Sequence, residues 1–492
     1  MPDVPTAPWR RRIGTAPKSW VLVMAGAVFV GWLPFLGRSL SPDEAGYLLV
    51  GGQWGHGNSL YGDYWVDRPP ALIAIFEAAD ALGGAVPLRL FGALAAVLTV
   101  ILSGVLGRVA APERRSAPVL TAGTAAVCVA TPLLGATVAN GELLGLPFLI
   151  VGLLSYVAAA ASRHQVRGFL LSVAAGAAGA VGALVKQSLV DVFVVAIVLV
   201  FTSGAARRKF PGLLVGALVV TAIAVGVAWA RGTVPADLWN AVVTFRVDAA
   251  RKLAGDNGPA LRRLGGLVGG LAGSGLPLVV AAFAWKGRGA PSRQGPWTAP
   301  DLRTPAYVLL TFELLVAFLG GSYWLHYLMG LVPGAVLFAA AFAQRPAPVT
   351  RSIGGALALA GVSAAAALGW TIASPLERDE QPAIAYLDAH AHRGDSAVVV
   401  FGAANVVRDA HLTSPYPYLW SLPARVRDAD LATLDGLLES DERPRWVIVA
   451  HGSVIDWELD FTRTQDLLDA DYEKVDEAGK FTIYRLTAAP HA

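Results

Sequence analysis

The sequence predicts a polytopic α-helical membrane protein of about eleven transmembrane helices, followed by a soluble α/β domain at its C-terminal end. Of its 492 residues, 55% are hydrophobic and only 15% are charged, whereas about 25% of the residues of soluble proteins are charged. Uncharged apolar runs such as 21–36 and 213–230 are close to the length that crosses a bilayer as a helix. Charged residues become frequent only after about residue 377, which marks the start of the soluble domain.

Each predicted span is an apolar segment between polar loops, and the spans make up a transmembrane region of residues 20–376. A helix is expected in each because the bilayer offers no hydrogen-bond partner to backbone groups. The first segment lacks a small-residue cleavage site, so it predicts an uncleaved helix after a cytoplasmic tail of residues 1–19. The predicted spans are 20–37, 87–108, 118–138, 141–161, 168–185, 187–203, 211–230, 262–284, 305–320, 323–343 and 352–373.

The distribution of Arg and Lys predicts how the chain is oriented. Cytoplasmic loops are enriched in positive side chains, and here such side chains recur in alternate loops. A cytoplasmic N-terminus and eleven spans put the C-terminal domain outside. Richness in Ala, Gly, Val and Leu, with more Arg than Lys, is typical of a GC-rich bacterial genome, so the expected location is the bacterial inner membrane. The basic loops are 108–115, 163–167, 207–209, 286–303 and 345–351.

Two predicted outer loops are long, at residues 38–86 and 231–261. The first contains segments 41–55 and 71–82, which have the pattern of short amphipathic helices that lie at the membrane interface. The soluble domain, residues 377–492, combines strand and helix patterns, as in a small α/β domain. Its predicted strands are 396–401, 445–450 and 481–486, and its predicted helices are 382–391, 430–439 and 464–468.

Charge and cysteine content exclude several classes of function. The net charge of +3 is small and no basic run is interleaved with aromatic residues, so nucleic acid is not expected as a partner. Cys128 is the single cysteine, which excludes an intrachain disulfide and a cysteine metal site. The bilayer itself is the partner that composition predicts.

The first outer loop begins with two acids that allow two interpretations. Ser41, Pro42 and Glu44 fit a capping box, with Ser41 as N-cap and Glu44 three positions later. This interpretation makes Glu44 structural and leaves the carboxylate of Asp43 free to face a cavity. Under the alternative, Asp43 is one more acid favoured by the helix dipole.

Further along the same loop, Asp63 and Asp67 are typical of a solvated turn. Arg68 is different, because it precedes the rigid pair Pro69-Pro70 on the face of the membrane where positive charge is disfavoured. Either a phosphate group or a simple lipid headgroup contact would explain this position.

Charged and aromatic residues also occur at the predicted outer ends of later helices. Glu142 follows the potential helix cap Asn140, and Lys186 either snorkels to the interface, pairs with Asp191 or serves a ligand. Tyr323, His326 and Tyr327 would share one helical face, which fits an aromatic belt or a cavity wall equally well. His326 would need further ligands to hold a metal. Together, carboxylates and cations from different helix ends indicate a site for a phosphate group attached to a lipid.

The order of these motifs resembles the glycosyltransferases of the GT-C class. Within that class it is most similar to the protein O-mannosyltransferase and aminoarabinose-transferase branch, the dolichyl-phosphate-mannose mannosyltransferase-like (family 39-type) enzymes. The resemblance covers roughly residues 20–345. It rests on Asp43-Glu44, Tyr47, Gly57, Leu60-Tyr61, Asp63-Tyr64, Arg68-Pro69-Pro70, Asn140-Gly141-Glu142, Lys186-Gln187 and Tyr-x-x-His-Tyr at 323–327.

The resemblance implies transfer of a sugar from a polyprenyl-phosphate donor to a cell-envelope acceptor (lipid, glycan or protein) on the outer face, by a single inverting displacement. It makes Asp43 the general base, and Arg68 and Lys186 the cations that bind the donor phosphate. Some relatives place a lysine at the position of Arg68, whose guanidinium offers a bidentate fork instead. The resemblance also implies that Glu44 or Glu142 is a second acid or a metal ligand. Some relatives use Mg or Mn as a cofactor and others work without metal. The cavity is then expected to be lined by Tyr47, Tyr61, Tyr323, His326 and Tyr327.

Two other functions are compatible with a polytopic membrane chain. A transporter or flippase of a lipid-linked intermediate would carry charges near mid-membrane on broken helices in related halves. The sequence shows no internal repeat, and Asp191 is its one candidate for a mid-span charge. A non-catalytic scaffold whose outer domain binds a partner would tolerate the substitution Asp43→Asn.

Overall fold

The computed structural model describes residues 16–57, 59–253, 259–288, 299–346, 348–375, 377–451 and 459–487. A helix is present at each of the eleven segments that the apolar runs predict. In chain order these helices are α1 (Ala16–Trp32), α4 (Ala85–Ala110), α5 (Ala117–Ala130), α6 (Gly141–Ala160), α7 (Gln165–Val185), α8 (Asp191–Thr202), α9 (Gly204–Ala230), α12 and α13 (Pro259–Gly273 and Leu276–Lys286), α14 (Arg303–Leu319), α15 (Val332–Ala343) and α16 (Arg351–Ala373).

Not all of these helices are long enough to span a bilayer by themselves. Over the described ranges, seven helices meet the length and hydropathy of a membrane span, and an eighth is added if α12 and α13, which meet at 52°, form one bent span. Helices α5 and α8 are shorter apolar helices, and α14 has 17 residues. The chain is thus a multi-pass membrane protein, while the number of eleven spans remains a prediction.

The bundle is built around helices that are apolar on every side. Helix α6 and helix α15 are buried along most of their length, which is where a helix without a polar face is expected. Helices α9 and α16 lie at the periphery, where large apolar side chains such as Ile223 and Trp370 are exposed. Such outward apolar surface is what a lipid-facing helix requires.

Both helices that the sequence predicts in the first loop are present, and their place at the membrane interface remains a prediction. Helix α2 (Pro42–Gly55) begins with the capping box, in which the side chain of Ser41 accepts a hydrogen bond from the backbone N–H of Glu44 at 3.2 Å. The Glu44 carboxylate in turn accepts from the backbone N–H of Ser41 at 2.9 Å. Helix α3 (Pro70–Ala81) starts with a proline at its first position, where the missing N–H has no cost.

The second loop also contains short helices. Helix α10 (Pro235–Trp239) leads through a π-helical turn (Asn240–Thr244) into helix α11 (Phe245–Leu253). The last three residues of the predicted loop fall in α12, and residues 254–258 lie outside the described residues. This loop therefore forms a helical wall beside the bundle end.

The C-terminal part contains a four-stranded sheet with the order β1–β2–β4–β3. Strands β1 (Ala397–Val400) and β2 (Trp446–Ala450) are parallel, and β4 (Phe481–Leu486) pairs antiparallel with both β2 and β3 (Tyr472–Ala478). The three predicted strands are confirmed. Strand β3 was not predicted, because its charged sequence YEKVDEA lacks a clear apolar pattern.

Helices cover both faces of this sheet, so that alternate residues of β1 enter two separate cores. The three predicted helices are confirmed as α17 (Gln381–His390), α20 (Ala432–Leu438) and α21 (Thr462–Asp471). Two short helices, α18 (Ala404–Asp409) and α19 (Ser421–Arg427), were not predicted. Helix α18 packs on α2, which seats the C-terminal part on the first loop.

Candidate active site

A cavity of about 300 Å³ lies where the first loop, the second loop, the bundle end and the C-terminal part meet. Three cationic side chains line it, Arg68 from the first loop, Lys186 after α7 and Arg246 from α11. Much of the remaining wall is apolar and consists of Leu189, Ala249, Ala250, Phe312, Val316, Leu319 and Leu422. The cavity can therefore accept a ligand that is anionic at one point and apolar elsewhere.

Arg68 and Arg246 both bond to the carboxylate of Asp67. The distance from Arg68 Nη1 to Asp67 Oδ1 is 2.7 Å, and that from Arg246 Nη2 to Asp67 Oδ2 is 2.6 Å. Burial raises the pKa of Asp67, but Arg246 and Arg68 outweigh it and hold that pKa below its ordinary value. Burial lowers the pKa of Arg68, and Asp67 together with Tyr47 and Asp43 brings it above its ordinary value. Both groups are therefore charged at neutral pH.

Lys186 forms an ion pair with Glu142, and its ammonium nitrogen lies 4.4 Å from the centre of the Tyr327 ring. Glu142 is in the first turn of α6, where the side chain of Asn140 caps the helix by accepting from the backbone N–H of Leu143 at 2.9 Å. Burial lowers the pKa of Lys186, and Glu142 offsets part of this effect. The ammonium group of Lys186 thus lies in a poorly hydrated place, where its attraction for an anion is stronger than in water.

Asp43 occupies the first turn of α2 and is half-buried. Its Oδ1 accepts a hydrogen bond of 2.9 Å from the indole Nε1 of Trp420, in the C-terminal part. Asp43 does not line the cavity, but it is close enough to Arg68 and Tyr47 to influence both electrostatically. Asp43 thus lies next to the cationic side chains of the cavity, on the side of the C-terminal part.

The structure does not bring Glu44 into this cluster. Glu44 is 1% exposed, and its carboxylate bonds to Arg89, with 2.6 Å between Nε and Oε1. The same carboxylate accepts from the backbone N–H of Ala139 at 2.8 Å, in addition to its bonds within the capping box. Glu44 therefore fastens the first loop to the bundle, and of the two acids Glu44 and Glu142 it is Glu142 that lines the cavity.

The predicted aromatic residues occupy different places. Tyr327 lines the cavity, and the ring of Tyr47 lies 5.5 Å from Arg68 Cζ. Tyr61 is part of the wall of the first loop, 6.3 Å from the ring of Trp65, and does not reach the cavity. Tyr323 and His326 are also outside the lining, although His326 packs edge-to-face on Tyr327 at 5.1 Å.

The predicted common face of Tyr323, His326 and Tyr327 is wrong. Residues Leu325–Leu331 form a 3₁₀ helix, and Tyr323 precedes it with a φ of 51°. Tyr323 therefore lies outside the helix, and His326 and Tyr327 are consecutive residues of a helix with three residues per turn, so that they lie on different faces. Gly135 accommodates this segment, because a Cβ at its φ of 84° would lie 2.6 Å from His326 Cα.

Asp191 does not pair with Lys186, one of the alternatives that the sequence left open. Its carboxyl group instead contacts that of Glu313 on α14, and both residues line the deep end of the cavity. Glu313 also accepts from the backbone N–H of Gly334 at 2.8 Å.

The acids of the site do not form a metal centre. Within the described part of the chain, no three side chains of His, Cys, Asp or Glu come together in a way that would hold a metal ion. Glu142, which the resemblance implies as a metal ligand, is instead paired with Lys186. In this arrangement Glu142 neutralises Lys186 and does not join other described acids in a set of metal ligands.

Sequence reasoning missed Arg246, Glu313 and Trp420, and it treated Asp67 as a solvated turn residue. Arg246 carried one signal, since it is a positive charge in a predicted outer loop, as Arg68 is. Trp420 and Glu313 had no local signal, because their partners Asp43 and Asp191 are distant in the chain.

No protein-family model and no curated protein matches the chain in sequence. Solved structures match along almost its whole length. ArnT from Cupriavidus metallidurans, bound to undecaprenyl phosphate, superposes with a TM-score of 0.64 at 13% identity, over 96% of this chain and 99% of that one.

An oligosaccharyltransferase from Archaeoglobus fulgidus, in a complex with Zn and sulfate, superposes with a TM-score of 0.54 at 14% identity, over 95% of this chain and 73% of that one. The mycobacterial arabinofuranosyltransferase AftD gives 0.50 at 14% identity, over 96% of this chain and 42% of that one. All three are GT-C proteins. This chain has the GT-C fold. The GT-C resemblance of the motifs is thereby confirmed at the level of the fold.

Proposed function

We propose that this GT-C chain is a membrane glycosyltransferase that moves a sugar from a polyprenyl-phosphate donor to a cell-envelope acceptor, with Asp43 as general base. The observation that carries the proposal is the cavity itself, in which Arg68, Lys186 and Arg246 converge beside an apolar wall. A lipid phosphate has this combination of charge and apolar surface. The structural similarity to ArnT bound to undecaprenyl phosphate supports the same class of donor.

The cations suit a phosphate group because their present bonds leave donors free. Arg68 uses Nη1 to bond Asp67, whereas a guanidinium offers five N–H groups. Asp67 and Glu142 hold the cations in place before the ligand arrives, which lowers the entropy cost of binding. As the bond between the anomeric carbon and the phosphate oxygen breaks, negative charge on the phosphate grows, and the cations stabilise that charge.

Asp43 is assigned as base because of its surroundings. Asp67, Glu142 and Glu44 each bond to a cationic side chain, whereas the described partner of Asp43 is the neutral indole of Trp420. Of these four carboxylates, Asp43 is therefore the one that the described contacts do not hold in an ion pair, so that a proton can pass to it without breaking one. In the proposed step the acceptor oxygen attacks the anomeric carbon, its proton passes to Asp43, and the bonding electron pair leaves with the phosphate.

The proposal places the site on the extracytoplasmic face of a bacterial inner membrane, as the loop charges predict. Lipids, glycans and proteins of the envelope all offer hydroxyl groups that a carboxylate base can activate. Inversion at the anomeric carbon follows from a single displacement, because the proposed step forms no covalent bond between sugar and enzyme.

Sugar transfer in membranes tests the proposal. Radiolabelled polyprenyl-phosphate sugars are supplied to wild-type protein, to Asp43→Asn and to the matched control Asp63→Asn. Asp63 is exposed on the same loop and does not line the cavity. We expect Asp43→Asn to bind the donor with a turnover lower by a factor of about 10² to 10⁴, the range that a general base supplies, and Asp63→Asn to be normal.

Equal transfer by wild type and Asp43→Asn would overturn the assignment of the base. Movement of an intact labelled lipid across the bilayer, without transfer of its sugar, would instead favour a transporter.

A further inference from the structure

A residue of the C-terminal part contacts the proposed base directly. Trp420 Nε1 donates to Asp43 Oδ1 at 2.9 Å, although the two residues are separated by 377 positions in the chain. The indole ring lies 5.1 Å from the ring of Tyr47, the residue that also contacts Arg68. The side chain of Trp420 thus contacts both the proposed base and the aromatic ring that lies against Arg68.

The surface of α2 is shaped for this indole. A Cβ atom on Gly46 would come 2.4 Å from Trp420 Cζ2, so no larger residue is compatible with the present position of the ring. Gly46 is buried in the middle of α2, where glycine destabilises a helix relative to alanine by roughly 0.5–1 kcal/mol. The close approach of Trp420 is a physical reason for glycine at this position.

The polypeptide that carries Trp420 is fixed to the first loop at two further points. The backbone N–H of Trp65 donates to the carbonyl of Pro417 at 2.9 Å, and the backbone N–H of Ser414 donates to the hydroxyl of Tyr64 at 3.3 Å. Leu422, two residues after Trp420, lines the cavity. The position of the indole is therefore set by the backbone of this segment as well as by its own contacts.

We infer that Trp420 is a positioning residue for Asp43, so that the C-terminal domain completes the active site. This inference rests on the proposed function. The indole N–H holds Oδ1 and fixes the rotation of the carboxylate, which leaves Oδ2 directed at the acceptor hydroxyl. Positioning of a reacting group within a few tenths of an ångström contributes strongly to rate.

Trp420→Phe is the primary test, because it removes the N–H and keeps most of the ring. We expect the turnover number to fall about ten- to hundredfold, the loss typical of a hydrogen bond to a charged group, with an unchanged KM for the polyprenyl-phosphate sugar. Trp446→Phe is the matched control. Trp446 Nε1 also donates to a carboxylate, Asp395 Oδ2, at 2.9 Å, but within the C-terminal sheet. Its turnover per folded molecule should be that of wild type.

A double-mutant cycle separates positioning from a general loss of structure. In the Asp43→Asn background, Trp420→Phe should cause no further loss, since it acts through the residue already changed. An equal loss in both backgrounds, or unchanged turnover of Trp420→Phe, would overturn the inference. If Asp43→Asn itself keeps full activity, the proposed role of Asp43 as base fails. This outcome differs from a failure of the inference about Trp420 alone, in which Asp43→Asn is inactive and Trp420→Phe is normal.

Gly46→Ala provides an independent variant that changes neither Trp420 nor Asp43. The added methyl group should displace the indole and lower the turnover number in the same way as Trp420→Phe. Gly226→Ala is its control, because a Cβ at Gly226 meets no atom within 4 Å. Normal turnover by folded Gly46→Ala would contradict the inference even if Trp420→Phe failed to fold.

Discussion

Asp67 and Arg246 form an ion pair of 2.6 Å that joins the first long loop to the second at the wall of the cavity. The same carboxylate holds Arg68, so the positions of two phosphate-binding candidates depend on one acid. Gln187 is a third partner of Asp67, because its side-chain amide donates to the backbone carbonyl of Asp67 at 2.9 Å. The two loops therefore form a single preorganised wall.

Substitution of Asp67 tests this arrangement. Asp67→Asn should raise the KM for the donor about tenfold, since loss of a charge-assisted hydrogen bond costs roughly 1.5–3 kcal/mol and frees both guanidinium groups to move. Donor kinetics and thermal unfolding in detergent measure the effect. Asp248→Asn is the control, because Asp248 pairs with Arg251 in an exposed position on the second loop, the loop that also carries Arg246. An unchanged KM for Asp67→Asn would show that these cations do not bind the donor.

The pH dependence of donor binding should report on Lys186. Burial lowers the pKa of Lys186, so its charge disappears at a lower pH than that of an ordinary lysine, whose pKa is about 10.4. We therefore expect the KM for the donor to rise with pH in alkaline solution, and to do so below the pH at which an ordinary lysine loses its charge. Over the same window the free energy of unfolding should also rise with pH, because the unfolded chain binds the proton more tightly than the folded chain does.

Lys186→Arg separates charge from other alkaline effects. A guanidinium keeps its charge throughout this range, so the alkaline rise in KM should vanish in the variant. Persistence of the rise would mean that another group titrates.

Removal of divalent ions should leave sugar transfer intact. Arg68, Lys186 and Arg246 already supply positive charge at the cavity, and the described acids do not form a three-ligand site. Transfer assayed in excess EDTA, with and without added Mg or Mn, provides the measurement. Loss of transfer in EDTA and its recovery with either metal would assign to a metal the charge that we attribute to these side chains.

Glu44→Gln should weaken folding rather than chemistry. Glu44 and Arg89 are both 1% exposed, and breaking a buried pair by removing one partner costs about 3–5 kcal/mol. Denaturant unfolding should show this loss, with normal turnover per folded molecule. Glu77→Gln is the control, because the pair of Glu77 with Arg231 is about one-quarter exposed and should contribute less. A turnover defect in the folded Glu44→Gln protein would restore Glu44 as a candidate second acid.

Much of the fold was predictable because its causes are local. Apolar runs predicted the bundle helices, since a helix is the simplest way to bury a backbone in lipid. The capping box predicted the start of α2 from Ser41 and Glu44 alone, and hence the structural role of Glu44. Asp43, Arg68 and Lys186 were identified because charge at a predicted outer helix end is conspicuous.

The remainder depended on distant contacts. Nothing near Asp67 in the sequence shows that Arg246 will neutralise it, and nothing near Asp43 shows that Trp420 will reach it. The predicted face at Tyr323 was wrong because the helix begins only at Leu325, after a left-handed backbone conformation at Tyr323 for which the sequence gives no signal.

The chain order of the contact between Trp420 and Asp43 has a consequence for biosynthesis. Synthesis proceeds from the N-terminus, and domains generally fold in the order in which they emerge. The bundle and both long loops are therefore made well before the segment with Trp420 and Leu422 can reach them. The cationic side chains Arg68, Lys186 and Arg246 are thus synthesised before the residue that contacts Asp43, and the hydrogen bond from Trp420 forms only after the C-terminal part has emerged.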